Sequence, residues 1–177
     1  MIAIVITGGN VLFTVLLAIS LIGTSELYKV VGMNKALPGI LGYLAGVAYY
    51  AVLYLQATEY RLMVFIFFLL LLMLVYVFSF PRYSIEQLAV TFLGLFYVSV
   101  MLSFIYQVRI LEGGAWIVWL IFIGAWGSDT CAYAVGMLLG KHKVAPKLSP
   151  KKSVEGCIGG IVGAALIGFL YATFLRD

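Results

Sequence analysis

Charged residues are scarce in this chain. Of its 177 residues, 11 are Lys or Arg and 7 are Asp or Glu, so 10% are charged, whereas 64% are hydrophobic. A water-soluble domain carries roughly a quarter charged residues. The shortage of charge excludes a soluble globular domain. The high apolar content excludes an intrinsically disordered chain and a duplex-binding module, so no nucleic-acid partner is expected.

Cysteine and histidine are also rare. The two cysteines, Cys131 and Cys157, have no metal-type or framework spacing, and we interpret both as helix-packing residues. The single histidine, His142, is interpreted as a solvated loop residue. The sequence contains no Walker-type phosphate loop and no dinucleotide fingerprint. It begins without a basic leader or a small-residue cleavage site, so the first apolar stretch is expected to be retained.

Long hydrophobic runs dominate the remainder, and the mean hydropathy is +1.14. A helix needs about 20 mainly apolar residues to cross a bilayer core about 30 Å thick. By this length the sequence predicts an all-α, polytopic integral membrane protein with about six transmembrane helices. The predicted spans are Ile2 to Leu27, Leu37 to Leu55, Leu62 to Phe80, Leu88 to Tyr106, Ala115 to Gly140 and Pro150 to Phe174.

The joints between these spans differ in positive charge. If the joints alternate sides, the odd ones hold eight basic residues and the even ones, with the C-terminal tail, hold only Arg61, Arg109 and Arg176. The positive-inside rule then places the odd joints in the cytoplasm and both termini outside. We expect a multi-pass protein of the cell inner (plasma) membrane, whose active face is cytoplasmic.

Excess positive charge is confined to one predicted cytoplasmic segment. Residues 141–155 contain five lysines and one glutamate, and the rest of the chain has no net charge. One interpretation is a topology anchor, or a patch attracted to anionic headgroups by about 1 kcal/mol per basic residue. Another is a site for phosphoryl groups.

The fifth span contains an acid near its centre. Asp129 lies between Ser128 and Thr130, with Tyr133 one turn further on. An aspartate at the centre of a spanning helix costs about 2.5 to 3.5 kcal/mol, so such residues normally face a wet cavity, a partner or a ligand. The alternative is a packing acid held by a hydrogen bond from Tyr133.

Small residues recur every four positions in the last two spans. Such faces let helix backbones approach closely, so spans five and six are predicted to pack as a close pair. Asp129 is expected at the border of this interface, sharing one cavity with the five lysines. The small residues are Gly124, Ser128, Ala132, Gly136 and Gly140 in span five, and Gly156, Gly160, Ala164, Gly168 and Ala172 in span six.

The start of the sixth span resembles a helix N-terminus. Ser149 is a suitable N-cap and Pro150 a suitable first helical residue. Lys151 and Lys152 would then oppose the helix dipole, and a bound anion would reconcile them with the free amide groups of the first turn. Glu155 is expected to satisfy the dipole or to hold a lysine in place.

These residues carry a resemblance to a known family. The pattern from Ser128-Asp129-Thr130 through Gly140-Lys141-His142-Lys143 and Ser149-Pro150-Lys151-Lys152 to Glu155-Gly156 and Gly159-Gly160 is similar to that of phosphatidate cytidylyltransferases, also called CDP-diglyceride synthetases. The resemblance covers about 35 residues. It implies that CTP and phosphatidate react to CDP-diacylglycerol and pyrophosphate, with Mg²⁺, at the cytoplasmic face.

The resemblance also suggests roles for individual residues. It implies catalytic roles for Asp129 and Lys152. It implies substrate-binding or supporting roles for Ser128, Tyr133, Lys141, Lys147, Ser149, Lys151 and Glu155. The family's C-terminal motif, which includes a Lys-Asp pair, a Pro-Gly-His-Gly-Gly stretch and an Asp-Arg-x-x-Asp stretch, does not occur in these 177 residues. Its acids are the ones expected to hold Mg²⁺, so the metal ligands remain unassigned.

Two domains are predicted: a four-helix membrane region at residues 1–114, and a helix pair with its lysine-rich loop at residues 115–177. The expected partners are CTP, phosphatidate and membrane lipids. The chain is expected to be a truncated product, a fragment, or half of a two-part enzyme. Its expected protein partner is a second copy of itself, in a homodimer, or a separate C-terminal half. The alternatives are a non-catalytic carrier or scaffold for anionic headgroups and, ranked last, an ion pathway built on Asp129.

Overall fold

The computed structural model describes residues 2–145 and 149–176. Within these residues, six helices are long and apolar enough to cross a membrane. The only strands found in this part of the chain are two that form a small antiparallel sheet. The predicted all-α, multi-pass architecture is therefore confirmed. The chain forms two compact units, residues 1–110 and 111–177; the predicted domains, 1–114 and 115–177, stay a prediction.

The first unit contains four of the membrane-length helices. A 3₁₀ turn, Thr58–Tyr60, leads into α4, and a π-helical segment, Leu95–Val100, joins α5 and α6 into one continuous span. Its α-helices are α1 (Ile2–Thr7), α2 (Gly9–Val30), α3 (Leu37–Tyr54), α4 (Arg61–Ser79), α5 (Ile85–Gly94) and α6 (Met101–Arg109).

The first predicted span is interrupted. Gly8 has φ 64° and ψ −152°, a backbone conformation that ends α1 and that other residues rarely adopt. The Arg109 guanidinium lies at this break, where Nε donates to the carbonyl of Val5 at 3.1 Å and Nη2 to that of Ile6 at 3.2 Å. The prediction of one helix from Ile2 to Leu27 is wrong, because the spanning helix is Gly9–Val30.

One face of α2 forms much of the core of the first unit. Its buried side chains recur every fourth residue, which is the spacing of a single helix face; they are Leu12, Leu16, Ser20, Thr24 and Tyr28. The Tyr28 hydroxyl donates to the carbonyl of Thr91 at 2.7 Å. A Cβ atom on Gly94 would lie 2.7 Å from Tyr28 Cε1, so glycine makes room for the ring.

The second unit is a helical hairpin. The helix α7 (Gly114–Phe122), a π-helical segment (Ile123–Gly127) and the helix α8 (Ser128–Leu139) form one continuous span. The strands β1 (Lys143–Ala145) and β2 (Ser149–Ser153) follow, and α9 (Val154–Arg176) returns antiparallel to α8. The predicted start of the last helix at Pro150 is wrong, because residues 149–153 pair with β1 instead.

Candidate functional site

The charged segment between α8 and α9 contains the antiparallel strands β1 and β2, and its described residues, 141–145 and 149–155, are called the lysine hairpin below. Lys143 pairs with Ser153 and Ala145 with Ser149, with an irregular register between them. The side chains of Lys141, Lys143, Lys151 and Lys152 are exposed. Lys147, the remaining predicted phosphate contact of this segment, lies outside the described residues.

The N-cap of α9 is Ser153 rather than Ser149. Ser153 is 4% exposed, and its Oγ accepts the backbone N–H of Gly156, the third helical residue, at 3.2 Å. The N–H of Val154 donates to the carbonyl of His142 at 2.8 Å. The prediction of free first-turn amides beside Lys151 and Lys152 is therefore wrong. In the first turn of α9 as observed, the amides of Val154 and Gly156 already have partners. Lys151 and Lys152 both precede the helix.

Glu155 binds the start of the hairpin instead of a lysine. Its carboxylate accepts the backbone N–H of Lys141 at 3.2 Å and that of His142 at 3.2 and 3.3 Å. The Nδ1 atom of His142 lies 2.6 Å from Glu155 Oε1. His142, which the sequence suggests is a simple solvated residue, is therefore a partner of Glu155, although its own side chain is largely exposed.

The predicted close pair of helices is confirmed. A Cβ atom added to Gly160 would lie 3.0 Å from Ala132 Cβ, and one added to Gly136 would lie 3.6 Å from Gly156 Cα. Ser128 belongs to the same contact, because its Oγ would lie 3.1 Å from a Cβ on Gly160. The helices therefore meet along part of the small-residue faces predicted from the sequence, whereas a Cβ on Gly124 would meet nothing within 4 Å.

Asp129 is exposed on α8, away from the contact with α9. Tyr133, one turn further along the helix, is 70% exposed. In the part of the chain that the structure describes, no hydrogen bond or ion pair involves the Asp129 carboxylate, so no bond from Tyr133 holds it as a packing acid. Its side chain is open to a partner or ligand from outside this unit.

Asp129 and the lysine hairpin lie at different heights along α8. Leu139, the last residue of the helix, follows Asp129 by ten positions, which is about 15 Å of helix. Among the described residues, no hydrogen bond or ion pair joins Asp129 to a lysine of the hairpin. The single cavity expected for the acid and the lysines stays a prediction.

A cavity of about 400 Å³ lies beside the π-helical segment that precedes Asp129. Its walls include the aromatic rings of Trp119, Phe122 and Trp126, together with Thr130. A π-helical turn changes the direction of the side chains that follow it, and such turns are frequent at functional sites. Apart from the spacing of the aromatic residues, nothing in the sequence predicts the π-helical turn or the cavity beside it.

The described residues contain no group of three or more His, Cys, Asp and Glu side chains able to hold a metal ion. Mg²⁺ is commonly bound through one or two carboxylates together with water and substrate phosphates. Asp129, exposed and flanked by two hydroxyl residues, fits the role of one such ligand. It does not by itself make a complete protein site.

These observations define a multi-pass helical membrane protein with a cationic hairpin joining two closely packed helices. A family model for the cytidylyltransferase family matches residues 1–177. The chain therefore belongs to the cytidylyltransferase family.

Individual relatives agree with this assignment. The chain is 32% identical over 99 residues to a phosphatidate cytidylyltransferase of Staphylococcus saprophyticus, covering 56% of this chain and 37% of the relative. It is 33% identical over 97 residues to that of Thermotoga maritima, covering 55% and 36%. It is 41% identical over 64 residues to that of Haemophilus influenzae, covering 36% and 22%. The matched stretches thus span between 22% and 37% of the length of these relatives.

Proposed function

We propose that this chain is a phosphatidate cytidylyltransferase, or the N-terminal part of one, and acts in phospholipid biosynthesis. In the proposed reaction a phosphate oxygen of phosphatidate attacks the α-phosphorus of CTP. The bond from that phosphorus to the β-phosphate bridging oxygen breaks, and pyrophosphate leaves as CDP-diacylglycerol forms. Membership of the cytidylyltransferase family and the names of the relatives support this proposal.

The observation that carries the proposal is the lysine hairpin. Its four described lysines are exposed, and among the described residues none forms an ion pair with a carboxylate. Phosphoryl transfer needs positioning and neutralisation of developing negative charge more than covalent help from the protein. Lys141, Lys151 and Lys152 are proposed to contact substrate phosphates, and positive charge on this segment supports a cytoplasmic face of the plasma membrane.

Asp129 is proposed to hold Mg²⁺ together with phosphate oxygens of the substrate. When bound there, the ion would neutralise phosphate charge and orient the triphosphate. Because Asp129 lies about 15 Å along the helix from the hairpin end, it and the lysines are proposed to act on different parts of the two substrates. Ser128 faces α9 and is proposed to support the helix contact, while Tyr133, on the exposed side, is proposed to contact substrate.

The test is CDP-diacylglycerol formation from labelled CTP and phosphatidate in nanodiscs. The chain is assayed alone and with the C-terminal portion of the Thermotoga relative supplied. We expect turnover in at least one arrangement, and a loss of at least about a hundredfold in Asp129→Asn and Lys152→Ala with unchanged membrane insertion. The control is Glu112→Gln, an exposed acid outside the hairpin. Full turnover in both site variants would contradict the assigned roles.

The absence of a bond between Asp129 and the described lysines favours a second candidate, a non-catalytic scaffold that binds anionic lipid headgroups. In that case wild-type chain binds phosphatidate equally with and without CTP. It also gives no product in either arrangement. A homodimer or a separate C-terminal half would be distinguished by the mass of the active species in nanodiscs.

A further inference from the structure

Glu155 is the only acid of the lysine hairpin, and no lysine side chain pairs with its carboxylate. Its partners are the backbone N–H groups of Lys141 and His142 and the Nδ1 atom of His142. This set of contacts is called the Glu155 clasp. It joins the first residues after α8 to the first turn of α9.

Neighbouring contacts reinforce the clasp. The Val154 N–H donates to the His142 carbonyl at 2.8 Å, so the two segments are bonded in both directions. Ser153 is buried directly beside the end of α8, where a Cβ on Gly140 would lie 3.0 Å from Ser153 Cβ. The exposed lysines therefore extend from a backbone segment that hydrogen bonds fix at the end of α8 and at the start of α9.

The clasp also occupies the Glu155 carboxylate with groups other than lysine side chains. A glutamate among lysines would ordinarily neutralise one of them, but these carboxylate oxygens are taken by two backbone amides and an imidazole. In the described part of the hairpin, the ammonium groups of all four lysines remain without a carboxylate. The acid therefore orders the backbone without pairing with the lysines.

We propose that Glu155 and His142 are positioning residues, whose clasp fixes the hairpin so that its lysines bind phosphate groups in one geometry. The proposal rests on the proposed function and adds to it. The role of Glu155 is to hold the backbone, and His142 takes part in the site through Glu155. The phosphate groups belong to CTP or to phosphatidate, which the experiment distinguishes.

The sign of one substitution separates positioning from simple electrostatics. Glu155→Gln removes a negative charge beside four lysines, so a purely Coulombic account expects tighter anion binding. If the clasp positions the lysines, the same change loosens the hairpin. Binding of the ligand must then order several long side chains, and the entropy cost lowers the affinity. We expect phosphate affinity to fall about tenfold in spite of the added positive charge.

The experiment uses the full chain in nanodiscs. One arm titrates CTP into nanodiscs of neutral lipid, and the other titrates phosphatidate content without CTP. Glu155→Gln and His142→Ala are compared with Glu112→Gln, which makes the same charge change outside the hairpin and should keep wild-type affinity. His142→Gln retains a side-chain donor and should recover most of the affinity lost in His142→Ala.

Amide hydrogen exchange provides a readout that does not depend on a ligand. The amides of Lys141 and His142 should exchange at least about tenfold faster in Glu155→Gln, while amides in the middle of α9 keep their protection. This pattern shows that the variant remains folded and that the effect is local.

The outcomes are distinct. Faster exchange together with weaker binding in whichever arm the wild type binds supports the clasp. Unchanged exchange, or binding in Glu155→Gln as tight as or tighter than wild type, overturns it while leaving the proposed function intact. Wild-type chain that binds neither CTP nor phosphatidate overturns the proposed function and with it the positioning role, even if the exchange rates change.

Discussion

The hydroxyl groups of Ser20 and Ser99 lie 2.8 Å apart in the interior of the first unit. Ser20 belongs to α2 and Ser99 to the π-helical segment between α5 and α6, and both are about 1% exposed. Hydrogen bonds between membrane helices are worth about 0.6 kcal/mol on average and reach about 1.7 kcal/mol. This bond ties the distorted part of the fourth span to the first.

Removing one partner of this bond should destabilise the first unit. We expect Ser99→Ala to lower the free energy of unfolding by about 1 kcal/mol, because Ser20 Oγ is left buried without its partner. The double variant Ser20→Ala/Ser99→Ala should be less destabilised than the sum of the two single variants. Reversible unfolding in mixed micelles measures all four proteins, and strictly additive losses would show that the bond contributes nothing.

The close contact of α8 with α9 should be sensitive to single methyl groups. A Cβ on Gly159 would lie 2.5 Å from Val135 Cβ, whereas one on Gly168 of the same helix would meet only Leu120 Cδ2 at 3.9 Å. We expect Gly159→Ala to cost about 1 to 3 kcal/mol through overpacking and Gly168→Ala to be neutral or slightly stabilising. Thermal unfolding in detergent measures both, and equal melting temperatures would contradict the packing.

The start of α9 provides a test of the cap assignment. Ser153→Ala removes the acceptor for the Gly156 N–H and should cost about 1 kcal/mol, with faster exchange of the first-turn amides. Ser149→Ala is the matched control and should change little, since Ser149 lies in β2. A larger loss of stability in Ser149→Ala than in Ser153→Ala would contradict the Ser153 cap and favour the helix start at Ser149 that the sequence suggests.

Arg109 should hold the short helix α1 in place. Arg109→Ala removes both bonds to the carbonyls of Val5 and Ile6, so amides of residues 2–7 should exchange faster and protease should cut there sooner. Arg82→Ala is the control of equal charge, because Arg82 is exposed and lies against its neighbour Tyr83. If amide exchange and proteolysis of residues 2–7 are the same in Arg109→Ala as in the wild type, the Arg109 guanidinium does not anchor α1.

Several features of this protein follow from residue order alone. Apolar length predicts six spans, and the structure places their boundaries within a few residues, except at Gly8 and at Pro150. The four-residue spacing of small side chains predicts the pairing of α8 with α9. Both signals are local periodicities, and a helix converts a local periodicity directly into a face.

The errors share one cause. Ser149 followed by Pro150 is a good helix start by local rules, but the backbone of residues 149–153 finds partners in residues 143–145 that no short window includes. At the break beside Gly8 the partner is Arg109, and Glu155 bonds to His142, thirteen positions away. None of these partners is implied by the spacing in the sequence.

The sequence by itself determined that the chain spans a membrane, which helices pair and where positive charge is concentrated, because hydropathy, helical period and charge are properties of consecutive residues. Only the tertiary structure decided that Ser153 caps the last helix, that Glu155 binds backbone and imidazole, and that Asp129 bonds to none of the described lysines. Those outcomes depend on which hydrogen-bonding groups meet across the turn and on the rise of the helix between them.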